Sequence, residues 1–428
     1  MSVIDKFLGK IIRTGSLTVV MPNGSRNTYG PGGGQSATIR FTDRKAIFEI
    51  LKNPRLGVGE TYMDGRLIVE EGTILDVLEI VTKSNPWERG GKGKALGKGR
   101  LAQLKALLER NTPRKSRSNV AHHYDIGNDL YRLFLDEDLQ YSCAYFTDPK
   151  NSLEQAQADK KAHIAAKLYL KPGQRVLDIG CGWGGLALYL NRVADVDVLG
   201  VTLSEEQLKV ARQRAKQAGV SDRVKFELID YRALEGTFDR IVSVGMFEHV
   251  GAPHYPEFYA KCRDLLADDG VMLLHTIGKL GKASRAHDPF VAKYIFPGGH
   301  LPSLSEMTVA SQSARLIVSD IETLRLHYAL TGREWLRRFK AARAKVVKLY
   351  DERFFRMWEF YLSGVVVFFE GGGGCNYQVQ YIRDRRALPI TRDYMAQAEV
   401  GYRKTGAAAP TKARAPAKPR KRAAKAAK

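Results

Sequence analysis

Residues 16–41 (SLTVVMPNGSRNTYG…ATIRF) alternate hydrophobic and polar positions with the two-residue period of strands, on either side of Asn23-Gly24. That dipeptide readily adopts the left-handed backbone of a tight hairpin turn, so the pattern predicts paired strands. GETYMDGRLIVEEG then leads into TILDVLEIVTK (73–83), which reads as a helix. These elements predict a small α/β domain over residues 1–88. The stretch 89–118 opens with RGGKGKALGKGR, too rich in glycine and lysine to pack, and reads as a linker. Within it LAQLKALLER (101–110) sets Leu101, Leu104, Leu107 and Leu108 on one helical face, expected to dock on a domain in preference to a membrane.

From Arg175 the rhythm changes. RVLDI reads as a short buried strand, GLALYLNRV as a helix and VDVLGVTL as a second strand. SEEQLKVARQRAKQAG is a helix opened by an expected capping box, Ser204 with Gln207 three residues on. RVKFELID, FDRIVSVGM and GVMLLHTIG complete the strand series, with the helix PEFYAKCRDLL before the last. Strands apolar throughout and separated by helices indicate an α/β fold with a doubly wound, mostly parallel sheet. This catalytic domain is expected over 119–403, followed by a low-complexity tail, 404–428, with no packed structure.

Charge adds a partner to this picture. The chain has 428 residues and a formal net charge of +22. Arg89–Arg117 holds ten Lys or Arg against one acid, Glu109, and Pro410–Lys428 holds eight against none. Most of the excess thus lies outside the expected domains, which suits an extended anionic partner: a phospholipid surface or a nucleic acid. No base-reading motif accompanies the charge, so no specific nucleic acid is expected. The four cysteines, 143, 181, 262 and 375, form no C-x-x-C pair, and no histidines cluster at zinc spacing. Neither a disulfide scaffold nor a metal site is expected, in keeping with a reducing cytoplasm. No apolar run approaches the roughly 20 residues that span a bilayer, and MSVIDKFLGKIIR lacks the core of a signal peptide. The expectation is a cytoplasmic protein touching a membrane from the inside.

The stretch VLDIGCGWGG (176–185) follows a strand and opens a helix. It contains G-x-G-x-x-G at Gly180, Gly182 and Gly185, but the second strand ends VTLS, without the acid that would hold a dinucleotide's ribose. Asp178 instead makes it D-x-G-x-G-x-G through Gly184, the methyltransferase form. Its glycines let backbone approach the methionine part of S-adenosylmethionine, and a carboxylate suits that cationic cofactor. Asp230 and Tyr231, at the end of the third strand, are candidate adenine neighbours.

A set of stretches, in order from 119 to about 385, closely resembles the cyclopropane-fatty-acid synthases and their relatives, the mycolic acid cyclopropane synthases. They are NVAHHYDIGNDLYRLFLDEDLQYSCAYF (119–146), VLDIGCGWGG, VTLSEEQ, SVGMFEHVG (243–251), LLHTIG (273–278), FPGGHLPSL (296–304) and HYALTGREW (327–335). The resemblance implies methyl transfer from S-adenosylmethionine to a cis double bond of a phospholipid acyl chain, then proton loss and ring closure. It implies a lipid-handling N-terminal domain, a bound bicarbonate as base and a possible homodimer. It assigns the bicarbonate to Cys143 and Ile277 through backbone groups, and to Glu248, His275 and Tyr328 through side chains. It brings Tyr141 and Ser142 to the cofactor's carboxylate end with Gly180 and Gly182, and Thr202 and Gln207 to its ribose side. Cys143, between aromatic residues in QYSCAYF, then reads as a wall residue and not a nucleophile. The carbocation left by attack would be sheltered by aromatic faces, with Tyr141, Tyr145, Phe146, Phe247, Tyr294, Tyr328 and Phe360 as candidates. His122 and His123, Cys375 and the glycine run 371–374 receive no role. The alternatives are a relative on the same scaffold that adds a methyl branch to a fatty acid or methylates a small amine, a basic nucleic-acid-binding protein and a non-catalytic lipid binder.

Overall fold

The computed structural model describes residues 3–89, 127–283 and 288–407. The linker helix expected at 101–110, His122 and His123, and the tail beyond Ala407 lie outside the described residues. In the N-terminal half, β1 (Gly15–Val20), β2 (Arg26–Gly32), β3 (Ser36–Phe41) and β4 (Leu67–Glu71) form a sheet in the order β2-β1-β3-β4. The β1–β2 hairpin turns at Asn23-Gly24, where Gly24 has φ +83°. Leu17, Val19, Ile39 and Phe41 face helices Arg44–Lys52 and Ile74–Ser84, which bury Ile47, Ile50, Val77 and Ile80. The second of these helices starts at a complete capping box between Thr73 and Asp76.

The larger sheet has seven strands: β5 (Arg175–Ile179), β6 (Asp197–Thr202), β7 (Val224–Leu228), β8 (Phe238–Val244), β9 (Leu266–Lys279), β10 (Ile317–Leu324) and β11 (Gly374–Ile382). Their order is β10-β11-β9-β8-β5-β6-β7, all running one way except β11. The chain reverses its direction of winding beside β5, which puts the glycine loop at the carboxyl edge where such sheets form their crevice. The periodicity predicts β5 to β9 but not β10 and β11. β11 is buried along its whole length yet turns Asn376, Gln378 and Gln380 inward, so polarity disguises a central strand.

The halves share one apolar cluster, and helix Glu352–Glu370 packs against both helix Pro54–Met63 and helix Ile74–Ser84. Gly59 lies so close to Phe290 that a Cβ there would sit 2.4 Å from its ring. Polar contacts ring this seam: Tyr62 donates to Glu359 at 2.7 Å, Tyr294 to Glu60 at 2.8 Å, and Arg333 to Glu79 at 2.6 Å. The glycine run now has a physical reason, because Trp87 docks on it. A Cβ on Gly373 would meet the Trp87 ring at 2.6 Å, one on Gly374 would meet Phe368 at 2.5 Å, and Trp87 N donates to Gly371 O. Among the described residues, no helix is long and apolar enough to cross a membrane. The expected start of the tail at 404 falls inside helix Asp393–Ala407.

Candidate active site

The loop after β5 is pinned from behind, since Gly180 N and Cys181 N both donate to Val201 O at 2.9 and 3.0 Å. In front lies an open cleft. Nine of the ten residues expected around the cofactor line it: Tyr141, Ser142, Asp178, Gly180, Gly182, Thr202, Gln207, Asp230 and Tyr231. Gly184 does not. A Cβ there would strike the Phe226 ring at 2.7 Å, so this glycine serves the packing of the helix it starts. Gly182 is the reverse case, with φ +53° and nothing within 4 Å of a Cβ. The capping box at Ser204 is half made. Ser204 Oγ accepts from Gln207 N at 3.3 Å, but the Gln207 side chain accepts instead from Thr202 Oγ1 at 3.1 Å. That leaves Thr202 and Gln207 joined on the cleft wall.

Asp178 carries the strongest chemical signal in the cleft. It is buried, its Oδ2 has no hydrogen-bond partner among the described residues, and desolvation pushes its carboxyl up to about 7. A buried carboxylate without a partner is costly, and a cationic ligand relieves the cost. The ammonium at the amino-acid end of S-adenosylmethionine fits that need. Asp230 is tied to Arg232 by an ion pair of 2.6 Å, and Tyr231 packs edge-on to Phe258.

Sequence reading missed Trp183, Arg232 and Met246, all on the cleft wall, and singled out His249 beside Glu248 in MFEHV without giving it a site; it lines the cleft too. Trp183 sits inside the glycine loop and donates from Nε1 to Asn128 at 2.8 Å, which ties the loop to helix Asn128–Phe134. His249 turns into the cleft while its neighbour Glu248 turns away, and burial lowers the imidazole to about 4, leaving it neutral. Lys160 and Gln157, on helix Leu153–Lys167, hold the wall at Gln140–Ser142 from behind.

None of the five expected bicarbonate residues lines this cleft; the structure groups them behind it as two sets. In the first, Glu248 Oε1 accepts from Ile277 N at 2.6 Å, while its Oε2 is buried without a partner among the described residues. Desolvation raises this carboxyl to about 7. FPGGHLPSL braces it, with His300 N donating to Glu248 O at 2.8 Å. His275 differs from expectation. Asn376 and Gln378 of β11 each lie 3.1 Å from one of its ring nitrogens, so neither nitrogen is left for an anion. A neutral imidazole has one donor and one acceptor, so one of these amides presents its oxygen to the ring. Burial, then Lys160, keep the ring neutral. Likewise Ile277 gives its N–H to Glu248, leaving only its carbonyl for other use.

The second set is Cys143 and Tyr328. Ala144 N donates to Thr331 Oγ1 at 3.0 Å, which places Cys143 one helical turn from Tyr328 on helix His327–Ala341. Burial pushes the Cys143 thiol up, away from the reactive thiolate. Ile277 packs against the apolar cluster that holds Cys143 and Tyr328. The aromatic candidates separate by what covers them. Tyr145 is stacked between His163 at 4.1 Å and His327 at 5.0 Å, and Phe247 is stacked on Tyr255 at 4.1 Å. Tyr294 and Phe360 belong to the seam between the halves. Tyr141 and Tyr328 stay near Cys143, each packed on Trp335.

Residues 111–379 match the family model described as mycolic acid cyclopropane synthetase, and residues 3–86 match one described as a domain of unknown function. The chain is 40% identical over 348 residues to the cyclopropane-fatty-acyl-phospholipid synthase of Escherichia coli (strain K12), covering 79% of this chain and 86% of that one. It is 41% identical over 389 residues to a probable fatty acid methyltransferase of Pseudomonas putida, covering 86% and 94%. A crystal structure of a mycolic acid cyclopropane synthase complexed with SAH and CTAB is similar at 33% identity and a TM-score of 0.59, over 62% of this chain and 97% of that one.

Proposed function

Because the chain belongs to the mycolic acid cyclopropane synthetase family and is a cyclopropane-fatty-acid-synthase-like methyltransferase using S-adenosylmethionine, we propose that it acts on the cis double bond of an unsaturated phospholipid acyl chain, that its product is a cyclopropane ring and that a bound bicarbonate is its base. S-adenosylmethionine supplies an electrophilic methyl group, and bicarbonate supplies a base for the proton that must leave this group before the ring closes. The chain's own residues do the rest. Asp178 and the Tyr141–Ser142 wall orient the amino-acid end of the cofactor. Tyr141 and Tyr328 pack on Trp335 in the apolar cluster that also holds Cys143, so a transient positive charge there meets π-systems before it meets solvent.

The observation that carries this reading is the buried Oε2 of Glu248, which accepts no hydrogen bond among the described residues, the nearby Thr276 hydroxyl donating to Ile277 O. In its ionised form such an acceptor needs a ligand that brings an O–H, as bicarbonate does. Simple transfer to an amine would need no buried base behind the cleft. A second reading, methyl branching without ring closure, is favoured by the 41% identity to the Pseudomonas putida methyltransferase.

A lipid substrate also requires contact with a bilayer. Helix Arg44–Lys52 buries Ala46, Ile47 and Ile50 and turns Phe48 outward, 66% exposed, between exposed Arg44, Lys45 and Lys52. None of the three cations has an ion pair among the described residues. A basic face around one protruding aromatic suits the anionic inner surface of a cell membrane, where each cation contributes about 1 kcal/mol.

The test uses methyl-labelled cofactor and vesicles of cis-unsaturated phospholipid, with and without anionic lipid. Ring methylene resonances in the recovered lipid, and faster turnover on anionic vesicles at low salt, are the expected result. A Phe48→Ala, Lys45→Glu, Lys52→Glu variant should lose the anionic advantage yet match wild type on detergent-dispersed lipid. Branched label would establish the second reading. Label confined to the head group, or none, would sink both.

A further inference from the structure

Lys160 has no exposed surface, and burial pulls its ammonium down to about 7 while Asp136, and then Asp138, hold it up. Its Nζ lies 2.8 Å from Ser142 Oγ and 2.7 Å from Gln140 Oε1, and no carboxylate comes within ion-pair distance of it among the described residues; Asp138 pairs with its neighbour Lys161 and with Arg214. The directions of these bonds are fixed by chemistry. With Lys160 charged its Nζ only donates, so Ser142 Oγ accepts from it, and the serine's own hydrogen points elsewhere. Gln140 cannot turn round, because its Nε2 donates to Asp138 at 3.1 Å while its oxygen accepts from Lys160. Gln157 Nε2 fixes the backbone of the same segment, donating to the carbonyls of Gln140 at 3.2 Å and Ser142 at 3.0 Å. Ser142 lines the cleft, and so does Asp178 with its unpartnered oxygen. The cleft therefore offers an acceptor for a cation and, on the wall backed by Lys160, a donor for an anion.

We propose that Lys160 is a positioning residue for the cofactor: it holds the Ser142 hydroxyl as a donor into the cleft and places a buried positive charge behind the carboxylate of S-adenosylmethionine, while Asp178 takes the ammonium. The inference rests on the cleft being the cofactor site. It assigns a binding function to a side chain that never touches the ligand, on a helix whose sequence (AQADKKAHIAAK) resembles an ordinary solvated face.

Two ligands separate this role from a merely structural one: S-adenosylmethionine and its decarboxylated analogue, which keeps the ammonium and lacks only the carboxylate. Titration calorimetry on the full chain should show wild type preferring the carboxylated ligand. Lys160→Met should weaken that ligand by about tenfold to a hundredfold and leave the analogue nearly unchanged, so the preference collapses. Ser142→Ala tests the same link from the cleft side, without disturbing the buried helix. It should lose the same preference, and the double variant should be no worse than the weaker single one. Equal losses for both ligands, or an intact preference in either variant, overturn the proposal. Failure of wild type to bind either ligand would instead overturn the reading of the cleft, and this inference with it.

Discussion

Glu248 shows how one carboxyl sets function against stability. Its folded pKa of about 7, raised by desolvation, stands above its ordinary unfolded value of about 4.3. The folded state therefore holds this proton more tightly than the unfolded one. Its stability is full below the unfolded pKa and is lost as pH rises through about 7, a total on the order of 3 kcal/mol. Asp178 titrates in the same window and the same direction. Glu248→Gln removes the titration and keeps the shape. The variant should gain on wild type in urea-unfolding free energy between pH 4 and pH 8, while turnover falls about tenfold to a hundredfold and the cofactor still binds. A stability difference flat across that range would refute the burial argument. Turnover equal to wild type in bicarbonate-depleted buffer would refute the role. Glu248 was legible from MFEHV, because charge leaving a buried strand needs a reason. Lys160 was not, because nothing in a helical pattern distinguishes a lysine facing solvent from one facing a loop twenty residues earlier.

At the scale of the element, the glycine loop was legible as a unit but not residue by residue. Spacing groups Gly180, Gly182 and Gly184 together, whereas the structure gives the last two opposite duties. Gly182→Ala puts a methyl group into the open cleft at a cost of about 1–2 kcal/mol for its left-handed backbone. It should lose most cofactor affinity and only the few degrees of melting temperature that this backbone cost implies. Gly184→Ala drives a methyl group into Phe226 and Ala211, so it should lose several degrees of melting temperature while the folded fraction binds the cofactor. Parallel calorimetry and thermal scans on the two variants check this crossing of effects; the same pattern in both would refute it. β11 marks the limit of periodicity. Its inward amides satisfy His275 and the Lys167 carbonyl, partners that only the finished sheet supplies.

For the molecule as a whole, composition and rhythm separate two halves, and the residues that join them carry no such signal. Gly59 reads as a helix weakness until Phe290, more than two hundred residues away, is seen against it. Gly59→Val should force the seam apart at a cost of about 1–3 kcal/mol. Calorimetry should then resolve two unfolding transitions where wild type shows one, and turnover on vesicles should fall with cofactor affinity retained. A single transition of unchanged shape would show that the halves are not held by this contact. The seam unites helices Pro54–Met63, Ile74–Ser84 and Glu352–Glu370 with the glycine run, and of these the sequence pattern shows only the second helix and the unexplained run. Long-range packing of this kind leaves no periodic trace.

All four thiols, Cys143, Cys181, Cys262 and Cys375, are free and buried, and all lie beyond residue 127, in the part of the chain that carries the seven-stranded sheet. Burial raises each of them, so the folded molecule presents almost no thiolate to an electrophile. The protein thereby carries an internal clock. Alkylation of Cys143, Cys262 and Cys375 advances when this part opens, and it stays silent when the N-terminal four-stranded part, which has no cysteine, opens alone. Because Cys181 borders the cleft, the clock at that position also runs at a speed set by whatever fills it.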